Sequence, residues 1–89
     1  MDLTERLTNL PGWSRDGEAI TKTYELRNFT SAMAFVNDVA DIAESANHHP
    51  DIDIRWTSIT FTLSTHSAGG VTDLDVAMAH RIDQLATAM

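Results

Sequence analysis

The chain has 89 residues, of which 43% are apolar, and a formal net charge of −7 at pH 7. This length predicts one globular domain over residues 1–89, with a single modest core. The acidic balance disfavours binding to nucleic acid or to an anionic membrane. The sequence contains no cysteine, which excludes disulfides and thiolate metal sites. It also shows neither an apolar run of transmembrane length nor a signal pattern, so we expect a cytoplasmic protein.

The first third of the chain predicts a helix followed by a hairpin. Leucines at helical spacing over residues 3–10 predict a short helix that Pro11-Gly12 ends. Asp16-Gly17 tolerates the positive φ that a tight turn demands. Apolar residues then alternate with polar ones over residues 20–26, which predicts a strand.

The middle of the chain predicts a second helix and a second hairpin. Thr30 is the expected N-cap, and apolar residues follow the helical repeat at Ala32, Phe35, Val36, Val39, Ile42, Ala43 and Ala46. The helix must end near Asn47, because a proline at position 50 disfavours helical dihedrals in the residue before it. Strict alternation over residues 52–56 and 59–63 predicts two adjacent antiparallel strands. The turn between these strands lacks the usual Gly or Asn.

The last segment predicts a helix with a well-marked start. Thr72 and Asp75 match a capping box, and Val71 and Val76 match the hydrophobic staple around it. One apolar stripe follows at Leu74, Met78, Ile82, Leu85 and Met89. The full order is α-β-β-α-β-β-α. We therefore predict an α+β fold of two layers, a four-stranded antiparallel sheet with helices packed on one face.

Three of the four histidines, His48, His49 and His66, lie at the predicted end of a helix or a strand. An imidazole, with an ordinary pKa of about 6.5, can give and take protons near neutral pH. Singly, each has a simpler explanation, such as a solvated residue at a helix C-terminus. Three histidines from two elements nevertheless favour an acid/base site. His80 lies outside the pattern and is expected on the surface.

Other candidates also have ordinary explanations. Glu44 would usually be surface charge, Trp13 a core residue, and Asp75 is explained by the capping box alone. It is their joint spacing that indicates a site. Glu44, three residues, His48-His49-Pro50, five residues, Trp56, nine residues, His66, eight residues and Asp75 form a pattern that resembles the signature of the pterin-4a-carbinolamine dehydratases.

The resemblance covers nearly the whole chain. Residues 10–13, the strand from Ala19, the helix over residues 32–44 and residues 70–72 all fall where that family has similar residues. Departures are few: the N-terminal segment is short, and Tyr24 and Leu26 stand where the family often has phenylalanine. Neither departure falls on a residue of the signature.

The resemblance implies dehydration of 4a-hydroxytetrahydropterin to quinonoid dihydropterin, recycling the cofactor of an aromatic amino-acid hydroxylase. It implies His48, His49 and His66 as catalytic residues, with His48 and His66 as the preferred acid/base pair. The pterin is the substrate, and neither a metal nor a separate cofactor is expected. The substrate-binding residues that it implies are Trp13, Glu44, Asn47, Pro50, Ser64, Thr65 and Asp75.

Several alternatives stay open. Three histidines also suit a metal, although the adjacent His48 and His49 do not easily share a face. The family includes a dimerisation partner of a homeodomain transcription factor, so a non-catalytic interaction or assembly role is one alternative. Action on molybdopterin-type cofactors is another. The family forms dimers through sheet edges and some tetramers through the second helix. That helix carries apolar residues over a broad arc, Met33, Phe35, Val36 and Val39, so we expect a homodimer at least, or a tetramer.

Overall fold

The computed structural model describes residue 7 and residues 9–89. Leu7 has a helical backbone, and the first helix predicted over residues 3–10 otherwise lies largely outside the described residues. From residue 9 onwards the elements are β1 (Ser14–Asp16), β2 (Ala19–Glu25), α1 (Phe29–Ala46), β3 (Asp51–Arg55), β4 (Ser58–Leu63), a 3-10 turn (His66–Ala68) and α2 (Asp73–Thr87). No helix in this part of the chain is long and apolar enough to cross a membrane.

The four strands form one antiparallel sheet in the order β1-β2-β4-β3. Burial alternates along β4, with Ile59, Phe61 and Leu63 fully buried. These residues pair with Tyr24, Lys22 and Ile20 of β2 and so share one face of the sheet with them. The helices cover that face, and α1 packs against both β4 and α2. The predicted two-layer α+β fold is confirmed.

The core is built around three aromatic rings in edge-to-face contact. The ring centroids of Tyr24, Phe35 and Phe61 lie 5.1–5.9 Å apart, at steep interplanar angles. This geometry brings the positive edge of one ring to the negative face of the next. Because α1 contributes Phe35 while the sheet contributes Tyr24 and Phe61, the cluster fastens the helix layer to the sheet.

Next to this core, three donors converge on one carboxylate oxygen of α2. Asp83 Oδ1 accepts a hydrogen bond from Trp13 Nε1 at 3.2 Å, another from Lys22 Nζ at 2.9 Å and a third from the Tyr24 hydroxyl. Partial burial raises the pKa of Asp83, but the three hydrogen bonds and the Lys22 charge outweigh it and hold that pKa below the ordinary value of 3.8. Burial, with the hydrogen bond to Asp83 and the Asp83 charge, raises the pKa of Tyr24.

Two local features differ from the sequence predictions. The N-cap of α1 is Asn28 and not Thr30, since the Asn28 side chain accepts from Ser31 N at 2.8 Å. The β3–β4 turn consists of Trp56 and Thr57, and Trp56 has φ +59°. A two-residue hairpin needs such a φ at its first position, where glycine is usual. In this chain an exposed tryptophan, and not a glycine, has the positive φ.

Strand β3 is an edge of the sheet that the helices leave uncovered. All five of its residues are exposed, and Ile52 and Ile54 lie on the helix-facing side, where they pair with Phe61 and Ile59. On α1, by contrast, Phe35, Val36 and Val39 are buried in this chain's own core, whereas Met33 is half-buried and Phe29 is 50% exposed. Exposed apolar surface therefore lies along the sheet edge, and Phe29 adds some at the start of α1.

Candidate active site

The end of α1, the end of β4, the 3-10 turn and the start of α2 meet around one open cleft of about 500 Å³. All three candidate histidines lie on it. The residues that line it are Asn47, His48, His49, Ser64, Thr65, His66, Ser67 and Leu74. A cleft of this volume falls within the usual range of small-molecule sites.

The end of α1 places the first two histidines. Asn47 is in the left-handed conformation (φ +51°, ψ +42°), which asparagine tolerates better than most residues. Asn47 N–H donates to Glu44 O at 3.2 Å, and His48 N–H donates to Ala43 O at 3.1 Å. These two bonds make a Schellman ending, which stops the helix where the sequence predicted and turns the chain towards the cleft.

His48 is held by a buried carboxylate. Its Nε2 lies 2.5 Å from Asp75 Oδ1, and the Asp75 side chain is fully buried. The other oxygen of Asp75, Oδ2, accepts from Thr65 Oγ1 at 2.7 Å and from Thr72 N–H at 2.9 Å. A buried carboxylate is tolerable when each oxygen has a donor, and the N-terminal end of the α2 dipole favours the same charge. The predicted capping box is confirmed, and its Asp75 also holds an imidazole.

The other two histidines are held more loosely. His49 Nε2 lies 3.5 Å from Glu44 Oε1, but both side chains are largely exposed, so this contact positions the ring weakly. His66 is exposed and opens the 3-10 turn. His66 lies in a small loop, and two backbone hydrogen bonds between Thr65 and Gly70, at 2.9 and 3.3 Å, close this loop. Water reaches both rings from the open side of the cleft.

The chain is similar in sequence and fold to known proteins. The family model described as pterin 4 alpha carbinolamine dehydratase matches residues 1–85, almost the whole chain. The chain belongs to this family. A relative from Nocardia farcinica, provisionally named as a pterin-4-alpha-carbinolamine dehydratase, is 55% identical over 80 residues. The match covers 90% of this chain and 84% of the relative's chain. A relative from Roseiflexus castenholzii with the same provisional name is 54% identical over 84 residues. The match covers 94% of this chain and 90% of the relative's chain.

Two solved structures resemble this fold. The crystal structure of a transcriptional coactivator/pterin dehydratase from Brucella melitensis superposes with a TM-score of 0.92 and is 36% identical, covering 94% of this chain and 92% of that one. A pterin dehydratase-like protein identified as a RuBisCO assembly factor in the alpha-carboxysome gives a TM-score of 0.70 at 23% identity, covering 83% and 86%. This second likeness shows the fold alone.

The remaining residues predicted for a pterin dehydratase site divide into two groups. Asn47 and Ser64 line the cleft, although the Ser64 hydroxyl donates to Glu18 O at 2.9 Å. Pro50, half-buried, is not among the lining residues. Trp13 does not line the cleft either: only 5% of it is exposed, and its indole N–H donates to Asp83. A side chain so enclosed in the core has too little free surface to cover a pterin ring from this chain.

Two residues that line the cleft were not singled out from the sequence. Leu74 was predicted in the apolar stripe of the last helix, yet it is 56% exposed and forms one wall of the cleft. Its position immediately before Asp75 was the available signal. Ser67 lies in the 3-10 turn, and nothing in the sequence marked it. Within residues 7 and 9–89, no three His, Asp or Glu side chains are arranged to hold a metal ion.

Proposed function

We propose that this protein is a 4a-hydroxytetrahydropterin dehydratase that uses histidine acid/base catalysis. The observation that carries the proposal is the buried Asp75–His48 pair, which faces the same cleft as His49 and His66. A fixed imidazole beside more mobile ones suits a reaction that needs one proton donor and one acceptor. The dehydratase relatives and the Brucella melitensis coactivator/dehydratase support the same activity.

The reaction eliminates water from the pterin. One group protonates the 4a-hydroxyl as the bond from carbon 4a to oxygen breaks, and another removes a proton from a ring nitrogen, whose electrons form the new double bond. We assign these roles to His48 and His66, and we place His49 beside the substrate. General acid/base assistance is worth ~10²–10⁴-fold in rate. The proposed mechanism uses no metal and no further cofactor, and its product would return to an aromatic amino-acid hydroxylase.

A direct assay with synthetic 4a-hydroxytetrahydropterin tests the assignment. His66→Ala removes an exposed ring, and His48→Gln keeps an N–H donor for Asp75 but cannot shuttle a proton. Each variant should lose tenfold or more in turnover. General acid/base assistance is worth ~10²–10⁴-fold, but water in an open cleft can partly replace the missing imidazole, so we expect a loss near or just below the lower end of that range. His80→Ala is the matched control, since His80 is exposed on α2 and lies outside the cleft.

The melting temperature separates a chemical effect from a structural one. We expect the melting temperature of His66→Ala to stay within about 4 °C of the wild type, because exposed substitutions cost ~0.5 kcal/mol or less. Full activity in both cleft variants would disprove the assignment. Equal losses in the cleft variants and in His80→Ala would do so as well.

We further propose that the protein is a homodimer joined along β3. The support is the exposed edge, where Ile52, Ile54 and Trp56 are 36%, 42% and 77% exposed. An unprotected apolar edge strand is a template for pairing with a second chain. The tetramer expected through the second helix has less support, because Phe35, Val36 and Val39 are buried within the chain and Met33 is half-buried. An assembly role with another protein would use this same edge.

Light scattering at micromolar concentration tests the dimer. The wild type should scatter as twice the 9.8 kDa chain, and Ile54→Lys should scatter as the monomer because it places a charge on the edge. Ser45→Lys, on the exposed side of α1, is the matched control and should remain dimeric. A monomeric wild type would contradict this proposal without affecting the dehydratase assignment.

A further inference from the structure

The Thr65 hydroxyl makes two hydrogen bonds inside the protein. Thr65 is only 9% exposed, and its Oγ1 lies 2.7 Å from Asp75 Oδ2 and 2.7 Å from Thr72 Oγ1. A hydroxyl donates only one hydrogen bond. The sequence predicted that Thr65 binds the pterin edge, but its only proton is already committed to a buried partner.

The direction of each hydrogen bond in this group follows from Asp75. An ionised carboxylate only accepts, so Thr65 must donate to Asp75 Oδ2. With the proton of Thr65 used there, Thr72 must donate to Thr65. The Thr72 oxygen in turn accepts from Leu74 N–H at 3.3 Å. The chain of bonds therefore runs one way, from the first turn of α2 to the carboxylate.

Two donors fix one oxygen of Asp75 and leave the other for His48. The Thr72 backbone N–H also points at Oδ2, at 2.9 Å, and a backbone N–H cannot act as an acceptor. Oδ1 faces His48 Nε2 at 2.5 Å, so Nε2 must carry a proton. The hydrogen bond at one ring nitrogen sets the tautomer of a histidine. Nδ1 is then the nitrogen left to accept a proton.

Nδ1 of His48 is also open to a ligand. It has no hydrogen bond to any described residue, and within the described part of the chain no buried side-chain nitrogen lacks a partner. Nδ1 must therefore be accessible, and His48 lines the cleft. The buried group thus leaves one ring nitrogen exposed, and its lone pair is free when the ring is neutral.

We infer that Thr65 is a positioning residue and not a substrate ligand: together with Thr72 N–H it fixes Asp75, which holds His48 as the Nε2–H tautomer with Nδ1 facing the cleft. For a neutral ring beside an ionised Asp75, the tautomer follows from the hydrogen bonds and does not depend on the reaction. The consequence for chemistry rests on the proposed dehydratase function, in which His48 then accepts the substrate proton at Nδ1. His66 is left to protonate the departing hydroxyl.

The variant Asp75→Asn tests the tautomer. Thr72 N–H can only donate, so the amide oxygen must take the place of Oδ2 and the amide NH₂ must face His48. Nε2 then has to accept, which moves the neutral ring's proton to Nδ1. Nitrogen-15 spectra at about pH 8.5, some two units above the ordinary imidazole pKa, read the tautomer directly. His80, exposed on α2, is the internal control and should look the same in both proteins.

The variants Thr65→Val and Thr65→Ser test the positioning role in the dehydratase assay. Valine removes the donor to Asp75 at nearly constant size, and we expect kcat to fall about tenfold or more through misplacement of His48 while KM changes less than about twofold. Serine restores the hydroxyl and should restore kcat. A pterin ligand at position 65 would instead show a raised KM in the valine variant.

The outcomes separate this inference from the proposed function. A wild-type His48 with its proton on Nδ1, or an unchanged tautomer in Asp75→Asn, overturns the inference even if the protein is an active dehydratase. If Asp75→Asn does not fold, a raised KM with normal kcat in Thr65→Val overturns it. A wild type without dehydratase turnover but with the predicted tautomers refutes the proposed function and supports the positioning of His48.

Discussion

Replacing Asp83 by asparagine should cost the protein a large part of its stability. Asp83 Oδ1 accepts from Trp13, Lys22 and Tyr24, and 25% of the Asp83 side chain is exposed. Asparagine keeps the size and one oxygen but loses the charge. A hydrogen bond to a charged group is worth about 1 kcal/mol more than a neutral one, so three such bonds, discounted for partial exposure, give a loss of about 2 kcal/mol. For a domain of this size that is a fall of about 8–16 °C in melting temperature.

The pH dependence of this loss gives a second readout. The folded pKa of Asp83 lies below its ordinary value of 3.8, so the charge stabilises the fold above that pH and the contribution disappears as the pH falls through the folded pKa. The difference between wild type and Asp83→Asn should therefore be the same at pH 7 and pH 5, and it should shrink below about pH 4.

Thermal unfolding followed by circular dichroism measures both effects. Asp41→Asn is the matched control, because Asp41 is an exposed carboxylate on α1, and surface substitutions usually change stability by ~0.5 kcal/mol or less. The reasoning fails if Asp83→Asn melts within a few degrees of Asp41→Asn. It also fails if the gap to wild type does not narrow as the pH falls below about 4, where the unfolded chain begins to take up the proton at Asp83.

Two further substitutions test local geometry, each with a control. Asn28→Ala should destabilise the protein by about 1 kcal/mol, because it removes the N-cap of α1. Thr30→Ala is the control and should change stability by less than ~0.5 kcal/mol. Equal effects of the two substitutions in denaturant titrations would contradict the cap assignment. Gly12→Ala should cost about 2 kcal/mol in the same titrations, because φ is +86° and the new Cβ would lie 2.8 Å from Lys22 Cε. Gly70→Ala, with no neighbour within 4 Å, should be nearly neutral, and a loss as large as that at Gly12 would refute the explanation.

Patterns of neighbouring residues predicted most of the fold. Helical and strand periodicity identified α1, β2, β3 and β4, and the Thr72–Asp75 spacing correctly placed the start of α2. The N-cap of α1 was wrong by two residues, because asparagine and threonine both cap helices well and local sequence does not decide between Asn28 and Thr30. Trp56 at positive φ was not predictable, since the usual residue for that position is glycine.

Only part of the candidate site could be predicted from the sequence. Spacing singled out His48, His66 and Asp75, and the structure brings them to one end of the sheet. The hydroxyl of Thr65 looked like a ligand group, because its partners Thr72 and Asp75 lie seven and ten residues further along the chain and only folding brings them together. Trp13 was predicted at the site for its chemistry, whereas its partner Asp83 lies 70 residues away.

The Schellman ending of α1 has a consequence for the timing of ligand binding. Its last bond, from His48 N–H to Ala43 O, makes the backbone of His48 part of the final turn of an 18-residue helix, and the His48 ring is already bonded to Asp75. The entropy of ordering this histidine is therefore lost when the chain folds and not when a ligand arrives. His48 should show slow amide hydrogen exchange, like the end of α1. Association with a ligand should then be limited by encounter, with no slow closing phase in stopped-flow traces.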